Sequence, residues 1–143
     1  MVRHALCALL VILTVTSCSM LRGSMDIDYD DQRLNAGLES VVQTGQSARL
    51  ADLTSWDWDE VHLFHEFSDR EFIEKTVGAP VIKADIYNSK ASLLVFEKDG
   101  TPVKAAGISG DYLRGANHEV TWNSEVVARP LGKGFVELSP PPN

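Results

Sequence analysis

The chain has 143 residues, a formal net charge of −7 and 44% hydrophobic residues. This length suits one domain with its own hydrophobic core, and the negative charge argues against binding nucleic acid or docking electrostatically on anionic lipid. The apolar run near the start, Ala5 to Val15, is shorter than the roughly 20 residues that a transmembrane helix needs.

The first 18 residues have the order of a secretory signal peptide: a basic residue, an apolar run and small residues that end in a cysteine. The four residues Val15-Thr16-Ser17-Cys18 resemble the lipobox of bacterial lipoproteins. This resemblance implies that residues 1–17 are removed and that Cys18 carries a lipid on its sulfur, a role that suits a soft nucleophile. We therefore expect a protein that is lipid-anchored on the extracytoplasmic face of the cell membrane, in the periplasm or at the cell surface.

Two alternatives to the lipobox are left open. One is an ordinary secretory leader that happens to end in Ser17-Cys18, and the other is a start at Met20 or Met25, which would leave the protein in the cytoplasm. In the favoured interpretation Cys7 leaves with the leader and Cys18 carries lipid. No intramolecular disulfide is then expected, although an exported protein could form one.

Residues 18–32, which begin at the acylated cysteine, are polar and acidic, and predict an extended tether that holds the domain off the membrane. The spacing of Asp26, Asp28 and Asp30 matches the first ligands of an EF-hand loop. The glycine and glutamate that this loop needs are replaced by Asp31 and Gly37. A solvated tether is therefore favoured over a calcium site.

Residues 33–139 predict a single α+β domain, followed by a proline-rich tail at 140–143. Apolar residues recur at helical spacing over 33–44, and Gly45 offers a stop. Beyond Pro80, Asp99-Gly100 predicts a two-residue hairpin. Strands are predicted at 81–87, 92–97, 119–123, 125–129 and 134–138. This order indicates one or two short helices packed on an antiparallel β meander.

A short helix is predicted just after the first strand of the domain. Ser68 and Glu71 have the spacing of a capping box. Phe67 and Phe72 have the spacing of a hydrophobic staple. Gly78 offers a left-handed end, and Pro80 prevents the helix from continuing.

The strand before that helix, Val61 to Phe67, contains His62 and His65. An odd spacing on a strand sends these two histidines to opposite faces, with Glu60, His62 and Phe64 sharing one face. A zinc site built from His62, His65 and His118 is an alternative, and with it a small metal-dependent envelope enzyme. Ordinary polar strand and loop residues are the favoured interpretation, so neither a metal nor a cofactor is expected.

No catalytic residue is predicted from the sequence. Gly107-Ile108-Ser109-Gly110 is a fragment of the nucleophile-elbow motif, but the second glycine is not correctly spaced and the fragment lies among hairpins. The sequence contains neither a phosphate loop nor a dinucleotide fingerprint. Carboxylates are plentiful, but their spacing singles out no acid–base pair. The protein is therefore expected not to be an enzyme.

The predicted partner-binding residues are Trp56, Asp57, Trp58 and Asp59. In an extended segment the two tryptophans share one face and the two aspartates the other, which would place an aromatic patch beside paired acids. Tryptophan is enriched where binding energy is concentrated, so this cluster predicts a recognition surface. The alternative is that at least one ring fills the core, as a solvent-facing Trp56 with a buried Trp58 would allow.

The stretch from Trp58-Asp59-Glu60-Val61 to Gly78, preceded by a lipobox leader and a polar tether, resembles small envelope lipoproteins of Gram-positive and actinobacterial type, a family of mostly unassigned function. The expected layout is also similar to small envelope adaptor and enzyme-inhibitor modules. The anchor, the absence of a catalytic signature and the aromatic and acidic cluster at 56–59 together predict a lipid-anchored, non-catalytic binding or adaptor lipoprotein that contacts an envelope protein. A phage- or plasmid-encoded surface exclusion or immunity lipoprotein is a further alternative.

Overall fold

The computed structural model of this protein describes residues 23–89 and 91–143. The predicted signal peptide, Cys18 and the first part of the predicted tether lie outside this range. The described residues form two α-helices, α1 (Gln32–Thr44) and α2 (Arg70–Val77), and two short 3-10 helices, Leu50–Leu53 and Ala116–His118. The strands are β1 (Ile27–Asp28), β2 (Ala48–Arg49), β3 (Glu60–Phe64), β4 (Leu93–Lys98), β5 (Thr101–Gly107), β6 (Leu113–Gly115), β7 (Thr121–Asn123), β8 (Val127–Gly132) and β9 (Phe135–Ser139).

The predicted α+β class is confirmed, and its strands are divided between two sheets. The central sheet has the order β1-β5-β4-β3-β7, and the outer sheet has the order β2-β8-β9-β6. The pairs β1–β5 and β6–β9 are parallel, and the other neighbours are antiparallel. The predicted hairpin at Asp99-Gly100 joins β4 to β5, and both residues have the positive φ that such a turn requires.

Both faces of the central sheet are covered. One face packs against α1 and the outer sheet, and we call it the α1 face. The other face packs against α2 and the chain that follows it, Ala79 to Tyr87, and we call it the α2 face. Strand β4 is buried from Leu93 to Glu97 because it lies in the middle of the sheet between these two layers. None of the helices in residues 23–89 and 91–143 is both long and apolar enough to cross a membrane.

Helix α1 confirms the amphipathic helix predicted over 33–44. It begins where the carboxylate of Asp31 accepts a hydrogen bond from the amide of Leu34, at 2.9 Å, and it ends at Gly45 in the left-handed conformation. Leu34, Leu38 and Val41 recur on one side and are buried in the core of the α1 face. The cap therefore belongs to the acidic segment that precedes the helix.

The acidic segment lies against the domain over its described last part. Ile27 and Asp28 pair in parallel with Ala105 and Ala106 of β5. The carboxylate of Asp28 also accepts a hydrogen bond from the ammonium of Lys104. Part of the segment predicted as a tether is thus an edge strand of the central sheet.

Helix α2 corrects the predicted cap. The N-cap is Asp69, whose carboxylate accepts from the amide of Phe72 at 2.7 Å, and not Ser68. The backbone carbonyl of Ser68 instead accepts from the amide of Tyr87, which fixes Ser68 in the chain before the helix. The staple is also different, because Phe67 is 68% exposed and Phe72 packs edge-on against Phe64. The predicted end at Gly78 is confirmed.

One predicted strand is shorter than expected, and the strand predicted at 81–87 is absent. The strand predicted from Val61 to Phe67 ends at Phe64, because the chain turns before α2 and Phe67 adopts a positive φ. The segment 81–87 is not a strand, and only Ile86 forms a bridge, to Asp69. Val81 and Ile82 are consecutive but both buried against α2, which the alternation of a strand does not allow.

Candidate functional site

A group of three polar side chains lies on the α2 face of the central sheet. Glu60 and His62 are two residues apart on β3, so both point to this face. The antiparallel register pairs Glu60 with Glu97 of β4, which brings the second carboxylate to the same place. We call Glu60, His62 and Glu97 the Glu-His-Glu cluster. Their ligand atoms all lie within 4.8 Å of one another.

The imidazole of His62 is at the centre of the Glu-His-Glu cluster. Its Nε2 atom is 3.4 Å from Oε1 of Glu60 and 3.6 Å from Oε1 of Glu97. The side chain of His62 is 2% exposed and that of Glu97 is 7% exposed, whereas that of Glu60 is 47% exposed. Neither Nε2 of His62 nor Oε1 of Glu97 has a hydrogen-bond partner among the described residues. The cluster therefore combines a buried interior with one carboxylate that reaches solvent.

The other ring nitrogen of His62 is held by strand β7. Nδ1 lies 2.8 Å from Oγ1 of Thr121, which pairs directly with His62 across the two strands. When this nitrogen donates to the hydroxyl, the lone pair of Nε2 points toward the carboxylates. A hydrogen bond from the second ring nitrogen orients most histidines that bind a metal, usually to a carboxylate, a backbone carbonyl or water, and here the partner is a hydroxyl.

The electrostatics of the Glu-His-Glu cluster are unfavourable for two carboxylates without a cation. Burial raises the pKa of Glu97, the nearby His62 lowers it, and the charge of Glu60 raises it. Like charges directly opposite each other on neighbouring strands destabilise a sheet. The net result is a raised pKa of Glu97, so burial and the charge of Glu60 outweigh the effect of His62.

The backbone around Glu97 is irregular. The β4–β5 register shifts between Phe96 and Glu97, so Val103 of β5 is an extra residue that has no direct partner. Bulges of this kind re-aim side chains and are frequent beside functional sites. Here the bulge lies at the residue that supplies the buried carboxylate.

No family model matches the chain, and the curated proteins and the solved structures give no match either.

The predicted partner-binding residues separate into buried rings and outer acids. Trp56 and Trp58 both pack edge-on against Phe96, with ring centroids 5.0 and 5.1 Å from it, so the two rings share one face as predicted. Trp58 is buried, with its Nε1 donating to Oγ1 of Thr54, and Trp56 is half-buried beneath the ammonium of Lys104. The two rings therefore anchor the segment on the core, and little of their surface is available for contact with a partner.

The aspartates of the same segment face solvent. Asp57 is 82% exposed, and its carboxylate forms an ion pair with Lys98 at 3.2 Å. Asp59 lies farther from Lys98, at 3.9 Å, and accepts a hydrogen bond from the amide of Asp99. We call Asp57, Asp59 and Asp99 the acidic edge. It borders the ends of β3 and β4, next to the Glu-His-Glu cluster in sequence.

The three histidines considered for zinc are not brought together. Among residues 23–89 and 91–143, the one group with metal-ligand geometry includes His62 and neither His65 nor His118. Nδ1 of His65 lies 3.3 Å from Oγ of Ser92, and partial burial together with the charge of Arg114 lowers the pKa of His65. His118 is exposed at the end of a 3-10 turn.

Two other motifs have structural roles. The amide of Ser109 donates to Oδ1 of Asn35, at 2.7 Å, which joins the loop after β5 to α1. Of the aspartates considered for calcium, Asp28 binds Lys104 and also accepts from the amide of Asp30. The hydrogen bond to Lys104 lowers the pKa of Asp28.

Sequence reasoning found His62 and its face but missed Glu97 and Thr121. Glu97 comes at the end of an apolar run, where a charged residue is the ordinary mark of a strand entering solvent. The relevant signal was the pairing of that run with β3, which puts Glu97 opposite Glu60. Such register is decided by contacts far apart in the sequence.

A separate groove of about 360 Å³ lies between the acidic segment and the chain after α2. Its lining includes Met25, Tyr29, Ile82 and Tyr87. None of the predicted partner-binding residues and no member of the Glu-His-Glu cluster lines it. The groove is thus distinct from both polar regions.

Proposed function

We propose that this protein is a lipid-anchored, non-catalytic envelope lipoprotein that binds a protein partner through the acidic edge. The observation that carries the proposal is the arrangement of Trp56, Asp57, Trp58 and Asp59, which packs two rings on Phe96 and leaves the carboxylates outside. Carboxylates on such a rigid base lose little conformational freedom when they bind. A partner with a basic surface fits this chemistry best.

The charges support a partner that is attracted electrostatically. The acidic edge contains three carboxylates, and the ammonium of Lys98 offsets only part of their charge. The chain as a whole has a net charge of −7. Complementary charge accelerates association and selects among partners, and it weakens as salt is added. We therefore expect association that decreases with ionic strength.

The anchor is supported by the sequence alone, through the lipobox at Val15-Thr16-Ser17-Cys18. Labelling cells with a palmitate analogue tests it directly, with Cys18→Ala as the comparison. Wild type is expected to carry the label in the membrane fraction, and the variant to lose it. An intact mass of the unmodified chain beginning at Met1, recovered from the soluble cell interior, would contradict the anchor.

Partner binding is tested by cross-linking in the envelope and capture of the tagged protein. The double variant Asp57→Asn, Asp59→Asn removes two charges of the acidic edge, and Trp56→Ala removes part of its base. The control is Glu71→Gln, which removes an exposed carboxylate from α2 instead. We expect a captured protein that is lost at high salt and in both test variants but kept in the control. Equal recovery from all four proteins would eliminate the acidic edge as the contact surface.

A further inference from the structure

We propose that the Glu-His-Glu cluster binds one divalent transition-metal ion of the Zn²⁺ class, with Nε2 of His62 and one oxygen from each of Glu60 and Glu97 as ligands. The three ligand atoms lie within 4.8 Å of one another. The decisive feature is that two of them, on His62 and Glu97, are buried and have no hydrogen-bond partner among the described residues. Sequence reasoning expected no metal here, and the proposal is independent of partner binding.

The distances within the cluster favour an ion over hydrogen bonds. Nε2 of His62 is 3.4 Å from Glu60 Oε1 and 3.6 Å from Glu97 Oε1. N–H···O hydrogen bonds have N···O distances of about 2.7–3.2 Å. A tetrahedral ion with bonds of about 2.0–2.2 Å holds neighbouring ligand atoms about 3.3–3.6 Å apart. The two separations from Nε2 fall in the second range, and all three ligand atoms lie within 4.8 Å of one another.

The charges of the cluster also fit a divalent ion. Two carboxylates directly opposite each other on antiparallel strands, one of them buried, repel each other. A buried carboxylate without a partner is costly, and proteins meet that cost by protonating it, by pairing its charge or by coordinating a metal. One ion of charge +2 with a neutral imidazole neutralises both carboxylates at once.

The environment of His62 suits a side chain that binds a metal. The hydrogen bond between Nδ1 and Oγ1 of Thr121, at 2.8 Å, fixes the ring and leaves Nε2 for the cluster. Glu60 is about half exposed, so an ion can reach the cluster from solvent on that side. Three protein ligands also leave a coordination position for water, as catalytic zinc sites do.

The donor set selects the kind of ion. Ca²⁺ and Mg²⁺ prefer sites made of oxygen alone, and soft ions such as Cu⁺ prefer thiolate or thioether ligands. A mixed set of one imidazole and two carboxylates suits Zn²⁺ and its borderline neighbours. Zn²⁺ is therefore the probe for the test.

The test is calorimetric titration of chelator-treated, full-length protein with Zn²⁺. We expect one ion per chain, a rise in melting temperature with zinc, and a loss of affinity of at least about tenfold in His62→Gln and in Glu97→Gln. Removing an outer-shell partner of a metal ligand costs about 10–100-fold in affinity, so Thr121→Val is expected to weaken binding within that range. The matched control His65→Gln removes a neighbouring histidine that is not in the cluster and should bind as wild type does.

Two results would overturn the proposal. One is that wild type binds no stoichiometric zinc. The other is that His62→Gln binds as wild type does, which would place the ion on residues outside the cluster. If His62→Gln fails to fold, the exposed ligand is tested by Glu60→Gln. X-ray absorption of the zinc-loaded wild type then decides, because it detects whether an imidazole is among the ligands.

Discussion

The two faces of strands β3 and β4 are both largely buried but chemically different. On the α1 face, Val61, Leu63, Leu94 and Phe96 are all apolar and pack with α1 and the outer sheet. On the α2 face, the same strands carry Phe64, Leu93 and Val95 but also His62 and Glu97. His62 and Glu97 are 2% and 5% exposed, so exposure to solvent does not account for their presence. The α2 face therefore contains a buried polar pair that the α1 face of the same strands lacks.

The free-energy cost of burying polar groups also distinguishes the two faces. A buried carboxylate and a buried imidazole cost free energy unless they are paired, and apolar residues of similar size often serve a core at least as well. The α1 face shows that the fold can fill these strands with apolar residues alone. We infer that His62 and Glu97 lower the stability of the α2 face in exchange for a binding site.

The largest effect is expected on the α1 face, from Phe96→Ala. This substitution removes a fully buried ring on which Trp56 and Trp58 both pack, so we expect unfolding in urea to show a loss of about 3–5 kcal/mol. Val103→Ala on the neighbouring strand is the control, since its exposed side chain should change stability by less than about 0.5 kcal/mol. A Phe96→Ala loss below about 1 kcal/mol would mean that the α1 face is not the main core.

On the α2 face, the effect of Glu97→Gln on the free energy of unfolding should change sign when zinc is bound. In chelator we expect the variant to be as stable as wild type or about 1 kcal/mol more stable, because the amide removes a buried charge opposite Glu60. With free Zn²⁺ at 100 times its dissociation constant, wild type should gain about 2.7 kcal/mol, and the variant much less. Urea unfolding of both proteins in both conditions measures this. A variant that is clearly less stable in chelator would instead indicate a favourable ion pair between Glu97 and a protonated His62.

The cover of the α2 face depends on the start of α2. Asp69→Ala should lower the free energy of unfolding by about 1 kcal/mol, because the amide of Phe72 loses the carboxylate that caps it. Ser68→Ala should cost less, since only the backbone of Ser68 is used here. Thermal unfolding of the two variants side by side decides between the caps. If Ser68→Ala were the more damaging, the capping box predicted from the sequence would be correct after all.

The smallest effect is expected outside both faces, at the ion pair of Asp28 with Lys104. Asp28→Asn keeps the hydrogen bond from Asp30 and removes the charge, so the loss at neutral pH should be below about 1 kcal/mol and should shrink with salt. Because folding lowers the pKa of Asp28, its contribution is present above the ordinary value of 3.8 and disappears as the pH falls through the lower folded pKa. Unfolding at neutral and acid pH compares the two proteins. A difference that persists well below that pKa would assign the effect to something other than charge.

Local chemistry predicted much of the framework. The helix over 33–44, its end at Gly45, the end of α2 at Gly78 and the hairpin at Asp99-Gly100 are confirmed. Each depends on residues that are neighbours in sequence, where spacing and backbone preference decide the outcome. The cap of α2 was wrong because Ser68 and Asp69 are both good caps, and the pairing of Ser68 with Tyr87 selects between them.

The candidate site was predicted only in part, because it is formed by the pairing of β3 with β4 and β7. Alternation in β3 placed Glu60 and His62 on one face, but nothing in the sequence near His62 indicated Glu97 or Thr121. Those two residues arrive through β4 and β7, from 35 and 59 positions away along the chain. The sequence by itself determined the α+β class and the local turns, since these depend on short-range composition and spacing. Only the tertiary structure decided which face holds the buried charge, because strand register is set by contacts across the whole domain.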